Sequence, residues 1–162
     1  FNFCAGLTSL NLSKFNTAKV KDMRAMFFCC TGLTSLDLSK FNTENVTDMG
    51  VMFFYCKGIT SLNLSGFNTA KVTNMKGMFS GCSGLTSITI PNSITKIEDN
   101  TFKNCTGLIT VNIPSSVTSI GVGASYTIRN MYGREPYAVF ESLCPDTRYT
   151  AWDRNVFEFF TS

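Results

Sequence analysis

Apolar and polar positions recur along this chain with a period of twenty-six residues. Residues 33–58 read LTSLDLSKFNTENVTDMGVMFFYCKG, residues 7–32 read LTSLNLSKFNTAKVKDMRAMFFCCTG, and residues 59–84 read ITSLNLSGFNTAKVTNMKGMFSGCSG. A period of this length marks a stacked repeat, in which each unit buries its apolar side against its neighbours. The opening L-x-x-L-x-L alternates as a strand does, which sends Leu10 and Leu12 inward and Ser9, Asn11 and Ser13 outward. Outward columns then continue as Ser35/Asp37/Ser39, Ser61/Asn63/Ser65, Ser87/Thr89 and Thr110/Asn112. Stacked in parallel about 4.8 Å apart, these strands form a sheet face rich in hydroxyls and amides.

Phe15, Phe41 and Phe67 turn the chain away from that sheet, each followed by Asn-Thr. Val20/Met23/Met26/Phe27 and their counterparts are spaced by three and four, which fits a short helix or 3₁₀ turn. The next unit, residues 85–107, is three residues shorter and decides between these elements. Its Ile94-Thr95-Lys96-Ile97 is β-branched and suits a strand, so the back of each unit is expected to be a short extended segment, then a tight turn ending in Phe-x-x-Cys. Pro91 and Pro114 stand where the front strand ends, a position that tolerates proline.

The predicted fold is a repeat solenoid, a leucine-rich-repeat-like right-handed superhelix. It carries a parallel β-sheet on its concave face and short strands, turns or 3₁₀ segments on its convex side. The solenoid covers residues 1–121, with units starting at 7, 33, 59, 85 and 108. The fifth unit opens as LITVNIPSSVTSIG and then breaks: residues 122–137 read as an inserted loop, and 138–162 as a divergent last repeat with a C-terminal cap. Phe1-Asn2-Phe3-Cys4 aligns with Phe27-Phe28-Cys29-Cys30, so the chain is expected to be a piece of a longer protein.

Composition narrows the chemistry. Charged residues make up 15% of the chain and the net charge is +3, with lysines scattered, which argues against nucleic acid. Apolar runs are too short to span a bilayer. Histidine is absent, which removes Ser-His and Cys-His catalysis and His metal ligands. Cys4, Cys30, Cys56, Cys82 and Cys105 fall at one position of successive units and are expected to form a buried ladder of free thiols, because parallel Cβ vectors do not suit a disulfide. No Cys-x-x-Cys pair supports zinc. Met23/Met26, Met49/Met52 and Met75/Met78 repeat at core spacing and read as packing. Asp22 and Asp48 share a column that Asn74 breaks, and Glu98-Asp99 reads as a solvated acidic pair in a turn. Neither forms a two-carboxylate site. The expectation is therefore a non-enzyme with no cofactor and no metal.

Two surfaces could bind a partner. One is the front sheet face, represented by Ser35, Asp37, Ser61 and Asn63; simple solvation of these columns is its competing reading. The other is the stretch with Tyr126, Arg129, Tyr132, Arg134 and Tyr137, residue types enriched at binding hot spots. Residues 122–162 hold four of the five Arg, four of the five Tyr and the single Trp, but none of the nine Lys. The aromatic residues Trp152, Phe157, Phe159 and Phe160 also suit a cap over the core end.

The unit L-x-x-L-x-L-S-x-F-N-T-x-x-V-x-x-M-x-x-M-F-x-x-C resembles the BspA-like leucine-rich repeat of bacterial surface proteins. The unit with Ile94-Thr95-Lys96-Ile97 and Phe102-Lys103-Asn104-Cys105 resembles the second repeat variant of that family. This resemblance extends over residues 1–121. It implies a bacterial secreted or surface-anchored protein that adheres to a host protein, matrix component or cell-surface glycan, without direct membrane insertion of this segment. A structural spacer that carries another domain away from the cell surface is the alternative. The resemblance supplies no catalytic residues. Free thiols outside a cell are compatible with it through burial or an anaerobic habitat.

Overall fold

The computed structural model describes residues 1–124 together with 127–128. Successive units lie in parallel on one another, in contact at the front, at the back and at the Phe-x-x-Cys corner. At the front, β1 (Ser61–Asn63), β2 (Ser87–Thr89) and β4 (Thr110–Asn112) form a parallel sheet in the order β1-β2-β4. Its register pairs Ser61 with Ser87 and Ser87 with Thr110. Each strand is buried only at its middle residue, Leu62, Ile88 or Val111, as the alternation requires.

Units 7–32 and 33–58 carry the same leucine pattern, yet their front segments are not strands; Thr34 N–H donating to the Thr8 carbonyl at 3.3 Å links them. The ladder develops where Ile88, Ile90, Val111 and Ile113 enter, because β-branched side chains favour the extended backbone. At the back, β3 (Lys96–Ile97) pairs in parallel with β5 (Ser119–Ile120). In the longer units the corresponding contact shrinks to single parallel bridges, Asp22 to Asp48 and Asp48 to Asn74. The extended back anticipated from the shorter unit is thus present, and no helix forms within residues 1–121.

After each bridge the chain makes two hydrogen-bonded turns. Met26 N–H donates to the Met23 carbonyl and Cys30 N–H to the Phe27 carbonyl, and the pattern repeats in the next two units. The third residue of each turn has positive φ: Ala25, Val51, Gly77 and Asn100 in one column, Cys29, Tyr55, Gly81 and Asn104 in the other. Positive φ at that position is the mark of a type II turn. Between these turns, alternate N–H groups reach forward to the next unit. Met23, Ala25, Phe27 and Cys29 donate to the carbonyls of Asp48, Gly50, Met52 and Phe54 at 2.7–3.1 Å. Gly58, which ends its unit, packs so closely that a Cβ would lie 2.9 Å from the Thr31 carbonyl oxygen of the preceding unit and 2.8 Å from that of Leu33, which opens its own.

The interior is a set of columns. Phe1, Phe27, Phe53, Phe79 and Phe102 stack with centroids 5.4–5.6 Å apart and ring planes within 9° of parallel. Residues 122–124 and 127–128, in the stretch read as an inserted loop, are helical, and they place Ala124 and Ile128 in the core.

Candidate interaction site

Asparagine and aspartate build the turns that hold the front face in place. In each of the first three units one such residue accepts the N–H two residues on: Asn11 from Ser13, Asp37 from Ser39, Asn63 from Ser65, at 2.9–3.0 Å. These are Asx turns, which end the front segment. The Ser39 N–H and hydroxyl hold the Asp37 carboxyl below the usual carboxylate range. Ser35, Asp37, Ser61 and Asn63 are all exposed, and the first two lie one unit away from the second two. Asp37 and Asn63 therefore stand on the surface with one side-chain oxygen already used by the backbone. Tyr126, Arg129, Tyr132, Arg134 and Tyr137 lie outside the described residues, as do Cys144, Trp152 and the expected cap.

Threonine plays a part that the sequence did not single out. Thr17 and Thr43 are buried, and each uses its hydroxyl twice. Thr17 Oγ1 donates to the Asn42 carbonyl at 2.9 Å and accepts the Asn42 N–H at 2.8 Å; Thr43 does the same with Asn68. The recurrent Asn-Thr thus ties the turn after the Phe to the turn of the next unit.

The cysteine ladder is present, and its thiols do more than fill space. Cys30, Cys56, Cys82 and Cys105 each donate the S–H to a phenylalanine carbonyl of the preceding unit: Phe1, Phe27, Phe53 and Phe79, at 2.8–3.0 Å. Thr127 extends this series, its hydroxyl donating to the Phe102 carbonyl at 2.8 Å. Cys4 departs from the expected buried ladder: it is half-buried and its thiol turns to the Asn2 carbonyl at 3.8 Å. Cys29 is half-buried too, and both are free thiols like the four buried rungs. Burial pushes the Cys56 and Cys105 thiols up to about 12 and raises Cys82 and Cys30 as well.

Stability should respond at alkaline pH. An unfolded thiol ionises above about pH 8.5, whereas the folded one keeps its proton, so the native state binds more protons and loses stability as pH rises. The loss begins near the unfolded value and continues to about 12 for Cys56 and Cys105. Each such thiol contributes a slope of about 1.4 kcal/mol per pH unit once unfolded chains are ionised. Urea unfolding at pH 8 and pH 10 reads this slope, and Cys82→Val should make it shallower. Equal midpoints at the two pH values would exclude protonated, buried thiols.

Glu98 requires a correction. Its place beside a turn predicts a solvated residue, whereas it is buried, and its Oε2 accepts the Met75 N–H at 2.6 Å. The equivalent N–H groups, of Met23 and Met49, donate to the main-chain carbonyls of Asp48 and Asn74. The following unit is three residues shorter, and the Glu98 carboxylate stands where such a carbonyl would be. Ser93 makes a second repair at the same step: its hydroxyl bonds that of Thr69 at 2.6 Å, where the Thr17 and Thr43 hydroxyls bond the main chain of Asn42 and Asn68. Replacing Glu98 by Ala leaves a buried N–H without its acceptor and should cost about 1–3 kcal/mol. Gln retains an acceptor oxygen and should cost under about 1 kcal/mol. Denaturant titration of the two variants checks the difference; equal losses would contradict the acceptor role.

Among the described residues no group of His, Cys, Asp or Glu could hold a metal ion, and no helix is long and apolar enough to cross a membrane. In-register units, parallel strands and side-chain columns define a repeat protein. Residues 1–110 match the family described as Mycoplasma protein of unknown function, DUF285. The chain belongs to that family. No curated protein matches it. Among solved structures it is similar to a T. pallidum leucine-rich-repeat protein, at 22% identity and a TM-score of 0.49, over 65% of this chain and 52% of that one. The chain thus spans about half the length of that protein.

Proposed function

We propose that the chain is a non-catalytic interaction module of a bacterial secreted or cell-surface protein. In this reading it adheres to a host protein, a matrix component or a cell-surface glycan, and uses neither cofactor nor metal. The proposal includes the BspA-like relationship and a right-handed solenoid with units starting at 7, 33, 59, 85 and 108. It also includes an insertion at 122–137 and a cap at 138–162. The observation that carries it is the front face, where Ser61, Ser87 and Thr110 form one exposed column and Asn63, Thr89 and Asn112 a second, in register on three paired strands. Fixed polar groups on a rigid sheet keep the entropy cost of binding low.

Ser35 and Asp37 continue these columns, and Tyr126, Arg129, Tyr132, Arg134 and Tyr137 supply the aromatic and guanidinium groups that anchor interfaces. A binding screen against matrix proteins and glycans tests the proposal, using the parent chain, a Tyr132/Arg134/Tyr137 triple-alanine variant and a Ser61→Arg variant. Binding by the parent that either variant weakens supports it; an absence of binding by the parent removes its support.

A structural spacer is the second reading, and one observation favours it. Asp37 and Asn63 each spend a side-chain oxygen on their own backbone, so the face is partly satisfied without a partner. Grafted onto an unrelated anchored protein, a spacer confers no adhesion, whereas an adhesion module does.

A further inference from the structure

The step from twenty-six-residue to shorter units leaves more than a repaired hydrogen bond. Between residues 69–75 of the longer unit and 93–98 of the shorter one lies a groove of about 390 Å³. That volume is within the range of about 300–1,000 Å³ typical of small-molecule sites. Val72, Met75 and Ile94 give it an apolar lining, and Lys96 and Glu98 supply opposite charges. The step in unit length coincides with this groove and with the two side-chain repairs.

The polar groups in the groove are unequally committed. Thr69 and Ser93 hydroxyls bond each other at 2.6 Å, and Thr73 Oγ1 donates to the Thr47 carbonyl at 3.2 Å. Glu98 Oε2 is used by the Met75 N–H. Its Oε1 differs: among the described residues it accepts no hydrogen bond, and Lys96 Nζ stands 3.7 Å away, beyond hydrogen-bond distance. The Lys96 side chain is 59% exposed, whereas that of Glu98 is 12% exposed. A held carboxylate is therefore matched by a loosely placed cation that solvent can take back. Such a pair contributes little, and the buried partner retains the capacity for a charge-assisted hydrogen bond.

We propose that this groove binds a primary ammonium group carried on a short apolar stem. The ammonium donates to Glu98 Oε1 and displaces Lys96 to solvent, and the stem lies on Val72, Met75 and Ile94. An anion is disfavoured because Oε1 would face it across the groove. The geometry applies equally to a free alkylamine and to a lysine side chain of a peptide.

NMR titration of the full chain with n-butylammonium tests the proposal, with n-butyrate as the anionic control and Nα-acetyl-lysine amide as the peptide-like arm. Saturable shifts at amides around residues 72–76 and 94–98 are expected with butylammonium and not with butyrate. Saturation by the lysine amide as well assigns peptide lysines as ligands; saturation by butylammonium alone assigns free amines. Glu98→Gln keeps an acceptor for the Met75 N–H and should weaken binding about tenfold. Lys96→Ala removes the competing cation and should tighten binding about threefold, a sign that general destabilisation would not produce. The proposal is overturned if butylammonium shifts these amides no more than butyrate does, or if Lys96→Ala fails to tighten binding.

Discussion

Cys56→Asp should leave the chain largely unfolded at pH 8, with a loss of at least about 4 kcal/mol. Cys56 is fully buried, and its thiol donates to the Phe27 carbonyl at 2.9 Å. A carboxylate there has no proton to donate and sets its charge against that carbonyl. The units on both sides depend on the same corner, because Cys82 makes the equivalent bond to Phe53. The loss has a distinctive pH dependence. The buried acid has its folded pKa raised above the unfolded value of about 3.9, so its penalty grows as pH rises above that value. Near pH 4 the neutral acid can donate as the thiol did, and part of the stability should return. Thermal melts of the variant and parent from pH 4 to pH 8 check both statements. Unchanged melting at pH 8 would contradict the buried ladder.

Phe53→Ala should cost about 3–5 kcal/mol, the range for removal of a fully buried ring whose cavity does not collapse. Phe53 lies between Phe27 at 5.4 Å and Phe79 at 5.6 Å, with planes 9° and 7° from theirs. Neighbouring units are held apart at this spacing by main-chain bonds on both sides, including Phe53 N–H to the Met78 carbonyl at 2.9 Å. The column therefore cannot close over the gap. Phe53→Leu keeps most of the volume and should cost about 1–2 kcal/mol. Guanidinium unfolding of the two variants measures the difference, and similar midpoints for Ala and parent would mean that the ring stack contributes nothing.

The shorter fourth unit shows why much of the fold was legible in the sequence. Ile94 takes the turn position of Val72, and with the buried Ile97 it replaces a helical spacing by β-branched residues. Because every unit must occupy the same columns, one unit's composition informs the others, and the extended back followed from that comparison. The cysteine column was legible for the same reason. The thiol-to-carbonyl bonds were not, since a small apolar role and a donor role leave the same spacing in a sequence. Nor were the positive-φ columns: Gly77 and Gly81 hint at them, but Ala25, Val51 and Tyr55 carry no sign of a left-handed conformation. Tertiary packing overrides their local preference there.

Glu98 and the front-face residues mark where reading residue by residue ended. An acidic pair next to a turn is normally solvated, and only the missing main-chain acceptor opposite Met75 draws Glu98 inward. The exposure of Ser35, Asp37, Ser61 and Asn63 followed from strand alternation, whereas the backbone bond that occupies Asp37 followed from the turn after it. By itself, then, the sequence determined the period, the residues of the core columns and the parallel stacking. Periodicity is a statement about which side chains face inward, and hydrophobic burial enforces it. Tertiary structure alone decided which group satisfies each buried donor, because the acceptor belongs to another unit some 25 residues away, and a change of three residues in unit length moves it.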